Sequence, residues 1–96
     1  MWRDAWLQRR CLIAATHWYE WRQDPAGKQP FALRLANGEA FMFAGLYSKW
    51  TPPGSDMPIY TAAIVTRDAS ESTRPIHDRM PIILHSGVWT RWIDPT

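Results

Sequence analysis

The chain has 96 residues, 46% hydrophobic and 21% charged, with a formal net charge of +2 and a pI near 9.0. That length holds one small domain with a thin core, and the mild positive balance leans toward an anionic partner without arguing for nucleic acid by itself. A single cysteine excludes an intramolecular disulfide, and no apolar run approaches the ~18 residues a membrane helix needs. The lone thiol fits a reducing compartment and the N-terminus lacks the apolar core of a signal peptide, so the expected location is cytoplasmic. Seven tryptophans is the unusual figure, because tryptophan both fills cores and stacks on bases.

Residues 1–10 read as a short helix, with Trp2, Trp6 and Leu7 on one apolar stripe and Arg3, Arg9 and Arg10 off it. A helix this short is marginal in water and must dock on something. Cys11 to Ala15 is a compact apolar run, expected as a buried strand. Trp18-Tyr19-Glu20-Trp21 continues as an aromatic strand with one acid inside it. Glu20 has two readings: buried beside aromatic rings, an environment that disfavours a carboxylate, or alternating outward to solvate the strand. Asp24-Pro25-Ala26-Gly27 is a turn signal.

Phe31 to Leu35 alternates as a strand, and Asn37-Gly38 supplies a hairpin turn into the next, Phe41 to Tyr47. That strand is apolar on both faces and so central, and Gly45 within it marks a bulge or a close approach. The loop Thr51 to Asp56 leads to a long strand, Ile59 to Thr66. Asp68 is placed to cap a helical turn that must end before Pro75. Pro81 to Leu84 is a short strand, and Ser86 caps a last helix, Gly87 to Ile93, with Val88, Trp89 and Trp92 inward. About six antiparallel strands and two or three short helices make an α+β domain with a curved or barrel-like sheet.

The stretch Ser72 to Pro81 concentrates polar groups between two prolines. Each proline fixes its own φ and keeps the residue before it extended, so Ile76 to Met80 reads as a rigid loop presenting His77, Asp78 and Arg79. The competing reading is a salt-bridged turn, with Asp78 pairing Arg74 or Arg79. No glycine-rich phosphate loop or metal-binding spacing is present, and His17, His77 and His85 lack ligand spacing, so no metal or cofactor is expected. Cys11, inside an apolar run, reads as an inert buried thiol.

Arg10-Cys11-Leu12-Ile13-Ala14-Ala15, Trp18-Tyr19-Glu20-Trp21, Phe43-Ala44-Gly45-Leu46-Tyr47 and Ile76-His77-Asp78-Arg79-Met80-Pro81 resemble, in order and spacing, the SOS-response-associated peptidase (SRAP) family. The resemblance spans nearly the whole chain and corresponds to the second half of a family chain. It implies abasic-site processing on single-stranded DNA, where an N-terminal cysteine closes a thiazolidine crosslink with the ring-opened sugar. It implies that Glu20 acts on the amine and the opening sugar, and that His77 serves in acid–base steps. It implies that Arg79 contacts phosphate and that Thr66 lies near the DNA backbone, with Arg74 a further candidate. The family's N-terminal Met-Cys pair and its active-site asparagine are not matched: Trp2 follows Met1, and Cys11 aligns with a cysteine inside the family's strand. Ala14 stands for a proline of the pattern and Thr16-His17 for its Asp-Gly turn.

The resemblance therefore leaves two expectations. One is an SRAP-type chain that keeps part of the DNA groove and two active-site groups but is deficient in crosslinking. The other is a non-catalytic single-strand binding module in which Trp18, Trp21 and Trp50 stack bases and Arg74 and Arg79 hold phosphate. Under either, an incomplete sheet leaves an uncovered edge, which predicts weak stability or self-association.

Overall fold

The computed structural model describes residues 2–96; Met1 and the Trp2 side chain of the expected first helix lie outside the described residues. The element order is α1 (Trp2–Gln8), β1 (Arg10–Ala15), β2 (Trp18–Asp24), β3 (Gly27–Leu33), β4 (Phe41–Trp50), β5 (Ile59–Ile64), β6 (Thr66–Asp68), β7 (Arg79–Pro81), β8 (Ile83–Leu84), a 3-10 turn (Ser86–Val88) and α2 (Trp89–Ile93). The antiparallel α+β class expected from the sequence is the class the chain adopts, in open sheets. One sheet orders β1-β4-β5 with β8 also on β4, and two hairpin ladders, β2-β3 and β6-β7, lie beside it.

β4 is central, as its two-sided apolar sequence predicted. Phe41 to Leu46 pair with β1. The other side of β4 is shared: Met42 and Phe43 pair with β8, and residues 45–50 pair with β5. Ala44, 0% exposed, stands at the changeover. Its carbonyl accepts from Val65 N–H at 2.9 Å, and its N–H donates to the Ile82 carbonyl at 2.9 Å. Gly45 forms no bulge. It is a close approach: a Cβ there would lie 2.7 Å from Ile13 Cδ1 and 2.9 Å from Cys11 Sγ.

Several boundaries differ from the sequence reading, each for a physical reason. Asp24 pairs directly with Gly27, whose φ of 125° only glycine adopts readily, so β3 starts at that turn and not at Phe31. The Asn37-Gly38 turn closes with Gly38 N–H to the Leu35 carbonyl at 2.9 Å, but it sits in a loop and makes no hairpin, because β3 pairs with β2 and β4 with β1. The expected long strand breaks at Val65, whose N–H bonds Ala44 and whose carbonyl accepts from Ile82, so the chain changes sheets there. Asp68 lies in β6 and caps nothing; the turn that follows is opened by the Ser70 carbonyl, which accepts from Arg74 N–H at 2.9 Å. The Pro81 to Leu84 stretch divides between β7 and β8, and no side-chain bond from Ser86 caps the last helix.

The core is small: Phe41, Phe43, Ala44, Ala5 and Ala69 are the buried apolar residues among those described. Trp18 joins the hairpin to the sheet, its ring edge-on to Phe41 and Phe43 at 5.9 Å each, while those two meet at 5.1 Å. At the other end Trp92 packs edge-on against Trp6 at 5.6 Å and donates its indole N–H to the Cys11 carbonyl at 2.8 Å, covering the outer edge of β1. Arg10, stacked on Trp92, donates to the Asp94 carbonyl and ties down the C-terminus. β5 has no such cover: all six of its residues are exposed. The radius of gyration, 16.2 Å, exceeds the about 12.5 Å expected of a compact domain of this length.

Gly45→Ala is expected to destabilise the fold by about 1–3 kcal/mol in urea melts, because Cys11 and Ile13 must both shift. Gly87→Ala, where a Cβ meets nothing within 4 Å, is the control and stays within about 0.5 kcal/mol of the parent.

Candidate functional site

Strand alternation fixes where Glu20 points. Along β2, residues 18, 20, 22 and 24 are half-buried while 19, 21 and 23 are exposed. Trp18 turns into the core, so Glu20, two residues on, faces the same way with its side chain 22% exposed. Glu20 thus does not alternate outward; it is half-buried on the inward face of β2. The next residue on that face, Arg22, is engaged: its guanidinium lies over the Phe31 ring at 4.8 Å and grips Asp24 at 2.8 and 3.2 Å. Glu20 instead meets His77, with Oε2 3.6 Å from Nδ1.

His77 leaves the end of the turn, where its N–H and that of Ile76 donate to the Thr73 carbonyl at 3.1 and 2.9 Å. Its Nδ1 then lies 3.1 Å from both the N–H nitrogen and the carbonyl oxygen of Arg79. Asp78 Oδ1 is 3.5 Å away. Nδ1 thus has a partner in either protonation state. Without a proton it accepts from Arg79 N–H; with one it donates to the Arg79 carbonyl, with the Glu20 and Asp78 carboxylates alongside. The ring can gain or lose a proton without turning, and neither case engages Nε2 with these groups.

Arg79 extends the network through its side chain. It sits directly opposite Asp68 across the β6-β7 ladder. NH1 donates to Asp68 Oδ1 at 2.8 Å and NH2 to Thr66 Oγ1 at 3.1 Å. Beside it, Thr66 and Arg79 close one end of a groove of about 310 Å³ walled by Trp6, Leu46, Ala63 and Ile64. Glu20, His77, Arg79 and Thr66, singled out in the sequence, therefore form one connected string of polar contacts.

Arg74 is not part of that string. Its guanidinium donates to the Ala69 carbonyl at 3.0 Å, bracing the turn. The competing reading, a turn with Asp78 paired to Arg74 or Arg79, is not what the described residues form: Arg79 pairs with Asp68, and Asp78 lies beside His77. Asp68 is the site residue the sequence reading missed. Its signal was the strand period: Thr66 and Asp68 are two apart and share one face. Trp18 is half-buried, with its ring engaged edge-on by Phe41 and Phe43, whereas Trp21 and Trp50 are exposed. His17, in the turn between β1 and β2, is exposed and bonded to Thr16 Oγ1 at 2.8 Å and Tyr19 Oη at 3.1 Å. Burial pushes the Cys11 thiol up from its ordinary value, so it stays neutral and weakly nucleophilic at neutral pH. Among the described residues no group of three or more His, Cys, Asp or Glu side chains is arranged to hold a metal.

The comparisons with known proteins bear on the whole chain. The family described as SOS response associated peptidase (SRAP) matches residues 1–96. The chain belongs to the SRAP family. Abasic site processing protein YoqW of Bacillus subtilis is 40% identical over 97% of the chain and 42% of that relative, and abasic site processing protein HMCES of Gallus gallus is 32% identical over 90% and 31%. A crystal structure of a Bacteroides thetaiotaomicron protein superposes with a TM-score of 0.90 at 29% identity, covering 98% of this chain and 42% of that one. A Bordetella bronchiseptica protein gives a TM-score of 0.82 at 25% identity, over 95% and 46%. The chain thus spans under half the length of the SRAP relatives it matches.

Proposed function

We propose that this chain carries the proton-transfer and phosphate-holding groups of an abasic-site processing protein that acts on single-stranded DNA. The observation that carries the reading is the 3.6 Å approach of Glu20 to His77, in a family whose relatives are named abasic site processing proteins. An abasic sugar reacts through its ring-opened aldehyde. Opening removes the proton of the anomeric hydroxyl, breaks the bond from C1′ to the ring oxygen and delivers a proton to that oxygen. In this reading Glu20 acts as the base and His77 as the acid through Nε2, and the proton taken up by Glu20 passes to Nδ1 as Nε2 gives up its own. Arg79 and Thr66 hold the neighbouring phosphate.

The thiazolidine crosslink implied by the SRAP resemblance needs an N-terminal cysteine. Cys11, the one thiol in the sequence, sits in β1 with its ionisation suppressed. Residues 1–96 carry the sugar and phosphate steps in this reading, and Cys11 is not the crosslinking nucleophile.

The second reading, a non-catalytic single-strand binding module, is favoured by exposed Trp21 and Trp50. Fluorescence anisotropy with two single strands, one carrying an abasic site and one intact, separates the readings. The first predicts tighter binding to the abasic strand, and equal affinities would support the second and overturn the first.

Self-association through β5 belongs to the same proposal, since its outer edge is unpaired among the described residues and Ile59, Tyr60 and Ile64 of that strand are exposed. Sedimentation velocity is expected to show the mass rising above 11.2 kDa with concentration. A constant monomer mass would contradict this.

A further inference from the structure

One charge in the network has no part in the chemistry above. Asp68 lies opposite Arg79 across the β6-β7 ladder, and its carboxylate takes NH1 at 2.8 Å while Thr66 takes NH2 at 3.1 Å. We propose that Asp68 is an electrostatic counterweight: it holds the Arg79 guanidinium extended along β6 and lowers its affinity for the phosphate of an intact single strand. The inference rests on the reading of Arg79 as a phosphate ligand.

The geometry supplies the first argument. Of the five N–H donors of an arginine, Asp68 and Thr66 engage two, which leaves three free for an incoming oxyanion. The guanidinium is thus oriented but not consumed. Exposure supplies the second. The Asp68 side chain is 89% exposed and that of Arg79 48%, and an ion pair so open to water adds little to stability. The Arg67 guanidinium reaches the Asp68 backbone carbonyl and not its carboxylate, so that carboxylate serves Arg79.

Electrostatics supplies the third. A phosphate seated on the free donors at a separation on the order of 6 Å would feel the Asp68 carboxylate directly. The repulsion weakens binding on the order of threefold in water and more at low ionic strength. Binding through phosphate alone is held down, and occupancy then depends on the sugar presented to Glu20 and His77. The Arg79 main chain also seats the His77 ring, so phosphate-holding and proton-transfer groups share one residue.

The test is a salt titration of the 96-residue chain on an intact single strand, followed by anisotropy. Asp68→Asn is expected to bind several-fold more tightly, with the slope of log affinity against log salt steeper by up to about 0.7. Arg79→Gln weakens binding and flattens the slope. The double variant gains less over Arg79→Gln than Asp68→Asn gains over the parent, because without Arg79 the phosphate is no longer seated beside Asp68. Asp68→Ser, which also removes the charge, repeats the gain and guards against an effect peculiar to asparagine. If Asp68→Asn binds no more tightly while Arg79→Gln weakens binding, the counterweight is overturned and the phosphate reading stands. If Arg79→Gln leaves affinity unchanged, or the parent chain binds no single strand, the phosphate reading itself falls.

Discussion

The site depends on the packing of Trp18 against Phe41 and Phe43. Among the described residues the β2-β3 hairpin shares no ladder with the main sheet, and these edge-on contacts at 5.9 Å help fasten it there. Because alternation along a strand has a period of two, seating Trp18 in the core commits Glu20 to the same face. Shifting β2 by one residue would send Glu20 to solvent and bring Tyr19 and Trp21 inward. The position of the carboxylate is thus a consequence of aromatic packing two residues away, with Arg22 and Asp24 satisfied by one another.

The other half of the site comes from a different constraint. Val65 hands the chain from the main sheet to the small β6-β7 ladder, which sets Thr66 and Asp68 on one face with Arg79 across from them. The turn between the two strands returns His77 against the Arg79 main chain. Two independent devices, a tryptophan packed on the core and a strand changeover, bring Glu20 and His77 together. Neither half is wrapped closely by the rest: the buried residues are few, β5 is exposed along its length and the chain is more extended than a compact domain of its size. The chain spans under half of the length of these relatives.

What could be read from the sequence was what local periodicity and turn chemistry encode. β4 was legible as central because both of its faces are apolar, and the turn ahead of Gly27 because proline and glycine punctuate it. The stretch around His77 was legible because two prolines frame its charges. Pairing was not legible. Asn37-Gly38 carries the chemistry of a hairpin, yet its flanking strands join different partners, since tertiary packing of Trp18 takes the hairpin elsewhere. Asp68 looked like a helix cap because its short side chain suits one; only the register with Arg79 reveals it as a cross-strand partner. Arg74 looked available because charge is visible in sequence and an intramolecular carbonyl acceptor is not. Glu20 had two equal readings until a neighbour's burial decided between them.

The central claim is that Glu20 and His77 move protons on the abasic sugar. The most direct measurement is the rate at which an aminooxy probe captures the aldehyde of an abasic single strand, with and without saturating protein. The account predicts that the parent chain accelerates capture and that Glu20→Gln and His77→Ala each remove most of the acceleration while still binding the strand. Acceleration that survives both substitutions, or a parent chain that leaves the capture rate unchanged, would contradict it.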